Sequence, residues 1–198
     1  MNKGLLVIFS GPSGCGKGTI LDLLKKTREN LFVSVSATTR IPREGETHGK
    51  DYFFISKDEF ESLIAQDAML EYANYCGNYY GTPKSTVEEK LAAGIDVILE
   101  IEVQGALKIK DKCPDAVFIF VVPPNMAELE RRLNKRGTES ADTIQERLRA
   151  ARNEIKEYKS YDYIVISDHP KLAAARIESV IEAERIKLHR MSEYMETV

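Results

Sequence analysis

The chain has 198 residues, 43% hydrophobic and 30% charged, which suits one globular domain with a buried core and excludes a disordered or fibrous chain. Its 28 Lys and Arg are outnumbered by 31 Asp and Glu, a net charge of −3, so no bulk basic field points to nucleic acid and any anion site has to be local. No apolar run approaches membrane-spanning length, and Cys15, Cys76 and Cys113 form no disulfide or zinc pattern, so a cytoplasmic setting is expected.

Leu5 to Phe9 reads as a short buried strand. Gly11-Pro12-Ser13-Gly14-Cys15-Gly16-Lys17-Gly18-Thr19 follows, and Ile20, Leu21, Leu23 and Leu24 then have the spacing of a helix's inner face. Strand, glycine-rich turn and helix is the context of a phosphate-binding loop, and Gly11-x-x-x-x-Gly16-Lys17 fits its spacing. Glycines let successive N–H groups curl round a phosphate, the helix N-terminus adds partial positive charge, and Lys17 adds a full one. The position after the lysine, where a hydroxyl usually meets magnesium, is Gly18; the hydroxyl comes one residue later, at Thr19.

Phe32–Ser36, Asp51–Ile55 and Met69–Tyr75 read as strands, and Ser56-Lys57-Asp58-Glu59 as a capping box opening a helix to about Gln66. Thr82-Pro83 opens a helix that stops at Gly94. Ile95–Val103 and Ala116–Val122 read as apolar strands, and Met126–Arg136 as a basic amphipathic helix. Gly137–Asp142 is expected as a loop, Thr143 to about Lys159 as a helix, Tyr163–Ile166 as a strand and Leu172 to about Met191 as a last helix. Continuous apolar strands alternating with helices predict an α/β fold with a mostly parallel sheet covered on both faces. The strand-rich stretch from Phe32 to Thr82 breaks that rhythm and reads as a small inserted subdomain.

Four groups of residues carry candidate chemistry. Glu100 and Glu102, two apart on a strand, are expected side by side at its carboxyl end, where open α/β sheets bind ligands; magnesium and its waters would offset one of them. The alternative is two solvent-facing acids. Arg40 and Arg43, three apart in a Pro/Gly loop, suit a phosphate, or form a solvated charged loop. Gly77-Asn78-Tyr79-Tyr80-Gly81-Thr82 reads as an aromatic turn that presents phenol hydroxyls or covers a small core. Arg131, Arg132, Lys135, Arg136, Arg147, Arg149 and Arg152 surround a Gly137-Thr138 loop, as a cationic flap over polyphosphate or as a solvated face.

The stretches GPSGCGKGT, SVSATTRIPREGETHGKDYFF, GNYYGT, EIEVQG and RLNKRGTES, in this order and spacing from about Gly4 to Ile186, resemble the guanylate kinase family. The resemblance implies a P-loop NTPase core within a domain at 4–186, a β-rich GMP-binding insert at 37–88, a helical lid at about 128–155, and a tail at 187–198. It implies transfer of the γ-phosphoryl of ATP to GMP with Mg2+, no nucleic-acid or membrane partner, and leaves a homo-oligomer open. By matching motif position, Ser36, Glu71 and Thr82 would meet guanine, and Arg40, Arg43, Tyr52 and Tyr80 would hold the GMP phosphate. Glu46 and Asp51 would support that loop. Glu100 would stand near the metal, directly or through water, with Thr19 a second candidate, and Glu102 would contact GMP. Lys17 and the amides of Gly11 to Thr19 would cradle the ATP phosphates, and Arg132, Arg136 and Arg147 would be catalytic lid arginines. Two departures from the family pattern stand out. Many members carry Asp at one or both positions matched by Glu100 and Glu102, and Ser167 stands where an Asn often meets adenine.

The residues agree with this chemistry. A carboxylate such as Glu71 accepts from guanine N1–H and N2–H, whereas adenine would leave it unpaired. Two other classes compete: a non-catalytic interaction module on the same fold, which has no need of Lys17 or the arginines, and a kinase for another acceptor, which has no use for Glu71.

Overall fold

The computed structural model describes residues 3–75, 77–135 and 141–197. At its centre is a five-stranded sheet of β1 (Leu6–Ser10), β2 (Leu31–Val33), β7 (Asp96–Glu100), β8 (Val117–Val122) and β9 (Tyr163–Ile166). Its order is β2-β7-β1-β8-β9, and every pairing is parallel. The apolar runs are continuous because both faces are covered. Val7 and Phe9 face one core, closed by α1 (Lys17–Thr27) and α7 (Pro170–Arg185) through Ile20, Leu24, Ala173, Ile177 and Ile181. Ile8, between them, faces the opposite core with Val87 and Leu91 of α3 (Lys84–Ala92) and Ala106 and Ile109 of α4 (Val103–Lys110).

Among the described residues one charged side chain is buried within that sheet. Asp96 is fully buried, accepts from Leu5 N at 2.9 Å, and pairs with Arg28 at 3.1 Å and Arg185 at 2.7 Å. It ties the C-terminal ends of α1 and α7 to the amino edge of the sheet. A buried carboxylate is tolerable only with such partners.

A second sheet lies between β2 and α3 in sequence. Its order is β4-β3-β6-β5, from β3 (Ala37–Thr38), β4 (Phe53–Phe54), β5 (Met69–Tyr75) and β6 (Asn78–Pro83). Helix α2 (Lys57–Ala65) closes its core, with Phe60 buried against Met69 and stacked on Tyr79 at 5.1 Å between centroids. The Ser56 hydroxyl accepts from Glu59 N at 3.1 Å, so this helix starts at the expected cap. Three further helices complete the chain: α5 (Met126–Lys135), α6 (Ala141–Ile155) and α8 (Leu188–Met195). Leu129 and Leu133 of α5 pack on Ile144 and Leu148 of α6 in a cluster of their own.

Several expected elements differ. Strand β7 ends at Glu100, and Glu102 is the N-cap of α4, so the two acids are not neighbours on one strand. The aromatic turn from Asn78 is strand β6, with Tyr80 opposite Ala73 and Thr82 opposite Glu71. The strands expected at Phe32–Ser36 and Asp51–Ile55 shrink to β2 and β4. Helix α6 begins at Ala141, and a 3-10 turn, Lys156–Ser160, follows it. The last expected helix is two, α7 and α8, broken at Ile186-Lys187. Arg136 and most of the expected loop lie outside the described residues. Among the described residues no helix is long and apolar enough to cross a membrane.

Candidate functional site

The phosphate loop follows β1 and runs into α1. Gly16 is the N-cap of α1 with φ +94°, a left-handed conformation that an L side chain would strain. The loop is closed by Cys15 N donating to Pro12 O at 3.3 Å. Lys17 reaches back over it, its Nζ donating to Gly11 O at 2.7 Å and Pro12 O at 3.3 Å. Cys15 faces the core with no exposed surface, and burial pushes its thiol up, so it is an inert filler. Gly18 and Thr19 are exposed on the first turn of α1.

Glu100 ends β7 directly beside Phe9 of β1, the residue two before the loop. The mass of protein around its carboxyl raises its pKa, while the charges of Lys17 and Lys25 oppose the rise. Glu102, two residues on, is exposed as the N-cap of α4. Glu154 of α6 belongs to the same cleft: burial raises its pKa, Lys17 lowers it, and Glu102 raises it further. Nothing in the charged pattern of α6 distinguishes Glu154 from its neighbours.

The second sheet faces this cleft with a different chemistry. Glu71 of β5 is 8% exposed, and its Oε1 accepts from the Thr82 hydroxyl on β6 at 2.8 Å. Burial pushes the Glu71 carboxyl up, against the pull of Thr82 and Lys108. Gly105 of α4 lies against it, because a Cβ there would stand 3.0 Å from Glu71 Oε2. No residue spacing pointed to that contact, since α4 was not expected. Ser36 precedes β3 and is half-buried, its carbonyl accepting from Phe53 N at 2.9 Å.

Arg40, after β3, is gripped from several sides. Its Nη1 and Nη2 donate to the two oxygens of Glu46, each at 2.9 Å, and its guanidinium stands 5.5 Å from the Tyr52 ring centroid. The Tyr52 and Tyr80 rings meet edge to face at 6.0 Å. Arg43 N also donates to Glu46 at 2.7 Å, while the Arg43 side chain is exposed. Asp51 braces the same loop by accepting from Thr47 N at 2.8 Å. Arg40, Arg43, Glu46, Tyr52 and Tyr80 thus form one cluster.

The helices expected as a lid touch the loop. Arg147 of α6 donates to the Ser13 hydroxyl at 3.1 Å. Arg132 of α5 donates to Cys15 O at 3.1 Å, to Ser167 Oγ at 3.0 Å and to Ser167 O at 2.7 Å. Arg136 lies outside the described residues.

The chain is similar to known proteins over nearly its whole length. The family model described as guanylate kinase matches residues 3–184. The chain is 51% identical over 189 residues to a guanylate kinase of Desulfitobacterium hafniense (strain Y51), covering 96% of this chain and 94% of that one. It is 55% identical over 190 residues to a guanylate kinase of Streptococcus thermophilus (strain CNRZ 1066), covering 96% and 91%. The crystal structure of guanylate kinase from Anaplasma phagocytophilum superposes with a TM-score of 0.78 at 35% identity, over 96% of this chain and 90% of that one. With the family model matched over residues 3–184 and relatives identical at more than half of the aligned positions, the chain belongs to the guanylate kinase family.

Proposed function

We propose that the chain carries out its family's reaction, ATP + GMP = ADP + GDP, in the cleft between the phosphate loop and the second sheet, with roles divided as follows. The observation that carries this reading is the buried Glu71–Thr82 pair, with Gly105 of α4 against its carboxylate. Ionised Glu71 accepts from guanine N1–H and N2–H, and the Ser36 hydroxyl donates to O6, joined by Thr82 once its one proton leaves Glu71. Arg40 and Arg43 with the Tyr52 and Tyr80 hydroxyls hold the GMP phosphate, Glu46 and Asp51 keep that loop in shape, and Glu102 meets the acceptor nucleoside. The amides from Gly11 to Thr19 and Lys17 hold the donor phosphates.

Phosphoryl transfer asks little covalent chemistry of a protein. Alignment of the two phosphates and neutralisation of developing charge supply most of the acceleration. Lys17 leaves its resting contacts on Gly11 O and Pro12 O for the β and γ oxygens, and Arg147 leaves Ser13 for the same region. Arg136 is expected there too. The acceptor phosphate is the nucleophile and needs no general base.

Guanylate kinases work with a divalent metal, and Mg2+ is the ion proposed here. Among the described residues no cluster of three or more His, Cys, Asp or Glu could hold a metal. Glu100, beside Phe9 and within the field of Lys17, would be its carboxylate with Thr19 alongside, and phosphate oxygens and water would supply the remaining ligands. When bound, the ion screens the charge between the phosphates. The proposed organisation is a domain at 4–186 with an insert at 37–88, a lid at about 128–155 and a tail at 187–198. The location proposed is cytoplasmic, on the free thiols of Cys15 and Cys113. Proposed partners are the two nucleotides, with a homo-oligomer open to test.

A bisubstrate analogue, adenosine and guanosine joined by five phosphates, tests the single cleft. It should inhibit competitively against both ATP and GMP; inhibition competitive with only one would overturn the arrangement.

A further inference from the structure

Arg132 stands among the arginines expected to meet phosphate, yet its donors are already engaged. Nε donates to Glu128 at 2.7 Å, Nη1 to Cys15 O and Ser167 Oγ, and Nη2 to Ser167 O. Four of the five N–H groups of a guanidinium are thereby used within the protein. The partners are firm. Ser167 is 4% exposed, and its hydroxyl donates to Val122 O at 3.0 Å. Glu128 is held down to about 2 by Arg131 and Arg132, so it stays ionised.

We infer that Arg132 is a positioning residue for the donor nucleotide, acting through the Cys15–Gly16 peptide rather than by touching phosphate. The peptide bonds described are trans, so a carbonyl and the following N–H point in opposite directions. Arg132 draws the Cys15 carbonyl outward, toward Ser167 at the end of β9. The N–H of Gly16 is thereby aimed the other way, into the loop. The guanidinium is close enough to do this, since a Cβ on Gly16 would lie 3.8 Å from Arg132 Nη1. The buried Cys15 side chain, packed with Phe9 and Ile20, fixes the near end of the same peptide. Without Arg132 that peptide is free to rotate, and ordering it again opposes binding. This inference rests on the reading that the loop cradles the donor phosphates.

The test compares wild type with Arg132→Ala, Arg132→Lys, Ser167→Ala and, as a control, Arg131→Ala, whose arginine bonds Glu128 but not the loop among the described residues. ADP affinity is measured by calorimetry without GMP, alongside KM for both substrates, kcat, thermal midpoint and the Gly16 amide resonance. Arg132→Ala should weaken ADP by about tenfold or more, since a charge-assisted contact of this kind is lost. It should move the Gly16 resonance in nucleotide-free protein and leave the GMP KM within about twofold, because the acceptor wall is untouched. Arg132→Lys should stay defective, because a compact ammonium cannot span the four oxygens that the guanidinium fork reaches. Ser167→Ala should show a smaller loss of the same sign, and it carries the test with the lysine variant where Arg132→Ala does not fold. A fall in kcat with ADP affinity unchanged would overturn the inference, by showing that Arg132 meets the moving phosphate. So would full recovery with lysine, or a lowered thermal midpoint with normal ADP affinity. A wild-type Gly16 resonance indifferent to ADP would instead defeat the phosphate-loop reading itself.

Discussion

Gly105 of α4 gives the Glu71 carboxylate its place: a Cβ on the glycine would stand 3.0 Å from Glu71 Oε2. Such a contact forces the carboxylate to shift by a few tenths of an ångström. Alanine is also the better helix former, by about 1 kcal/mol over glycine. Gly105→Ala should therefore leave the thermal midpoint unchanged or raised while the GMP KM rises several-fold and the ATP KM stays put. Steady-state kinetics and a melting curve check both halves. A lowered midpoint with normal GMP KM would show that the glycine serves only packing.

Glu71 also predicts a pH dependence. Burial raises its pKa in the folded chain, and guanine's N–H donors require the ionised form. Base affinity is then complete above the raised value and is lost as pH falls through it, in a window displaced upward from that of an ordinary glutamate. Guanosine is the right probe because it has no phosphate of its own to titrate. Its dissociation constant should rise on acidification in wild type and stay flat in Glu71→Gln. The raised pKa also means that ionising Glu71 costs the folded state stability above that window, so the glutamine variant should be no less stable at neutral pH.

Arg40 presents a forked guanidinium whose partner at rest is the Glu46 carboxylate. A phosphate dianion is a better partner for the same fork than one carboxylate. Arg40→Ala should raise the GMP KM by about 10- to 100-fold, the loss of a bidentate charged contact. Guanosine affinity should be unaffected. Equal losses for GMP and guanosine would place Arg40 at the base, not the phosphate.

Asp96 predicts stability rather than activity. Its carboxylate is fully buried between Arg28 and Arg185. Asp96→Asn leaves two arginines facing a neutral group and should cost about 3–5 kcal/mol of unfolding free energy. The site is at the opposite edge of the sheet from the phosphate loop, so kcat per folded molecule should hold. Urea unfolding and active-site-normalised kinetics separate the two.

The donor half of the site was legible because its signal is local. Leu5–Phe9, the glycine spacing to Lys17 and the apolar stripe of α1 lie within twenty residues, and the structure has strand, loop and helix there. The parallel sheet followed from apolar runs buried on both faces. The acceptor half was harder. Gly77 and Gly81 bracket Tyr79-Tyr80 as if in a turn, yet β5 pairs with that stretch and makes it β6. Helix α4 was hidden because Ile101 and Val103 prolong the apolar pattern of β7 and Gly105 looks like a breaker, when the glycine is what lets α4 approach Glu71. The partners of Arg132 were out of reach of any spacing argument. Cys15 is 117 residues away and Ser167 is 35. Asp96 showed only as a charge interrupting an apolar run, its arginines 68 and 89 residues distant.

The central claim is that one cleft selects guanine through a buried carboxylate and phosphorylates its nucleotide from a donor held by the N-terminal loop. A coupled ADP-release assay with ATP and Mg2+, offering GMP, AMP, UMP and CMP to wild type and to Glu71→Gln, tests it most directly. Wild type should favour GMP over AMP by about 10⁴-fold in kcat/KM, and Glu71→Gln should lose about 10²-fold or more of that preference. Comparable turnover of AMP by wild type, or an unchanged preference in the variant, would contradict it.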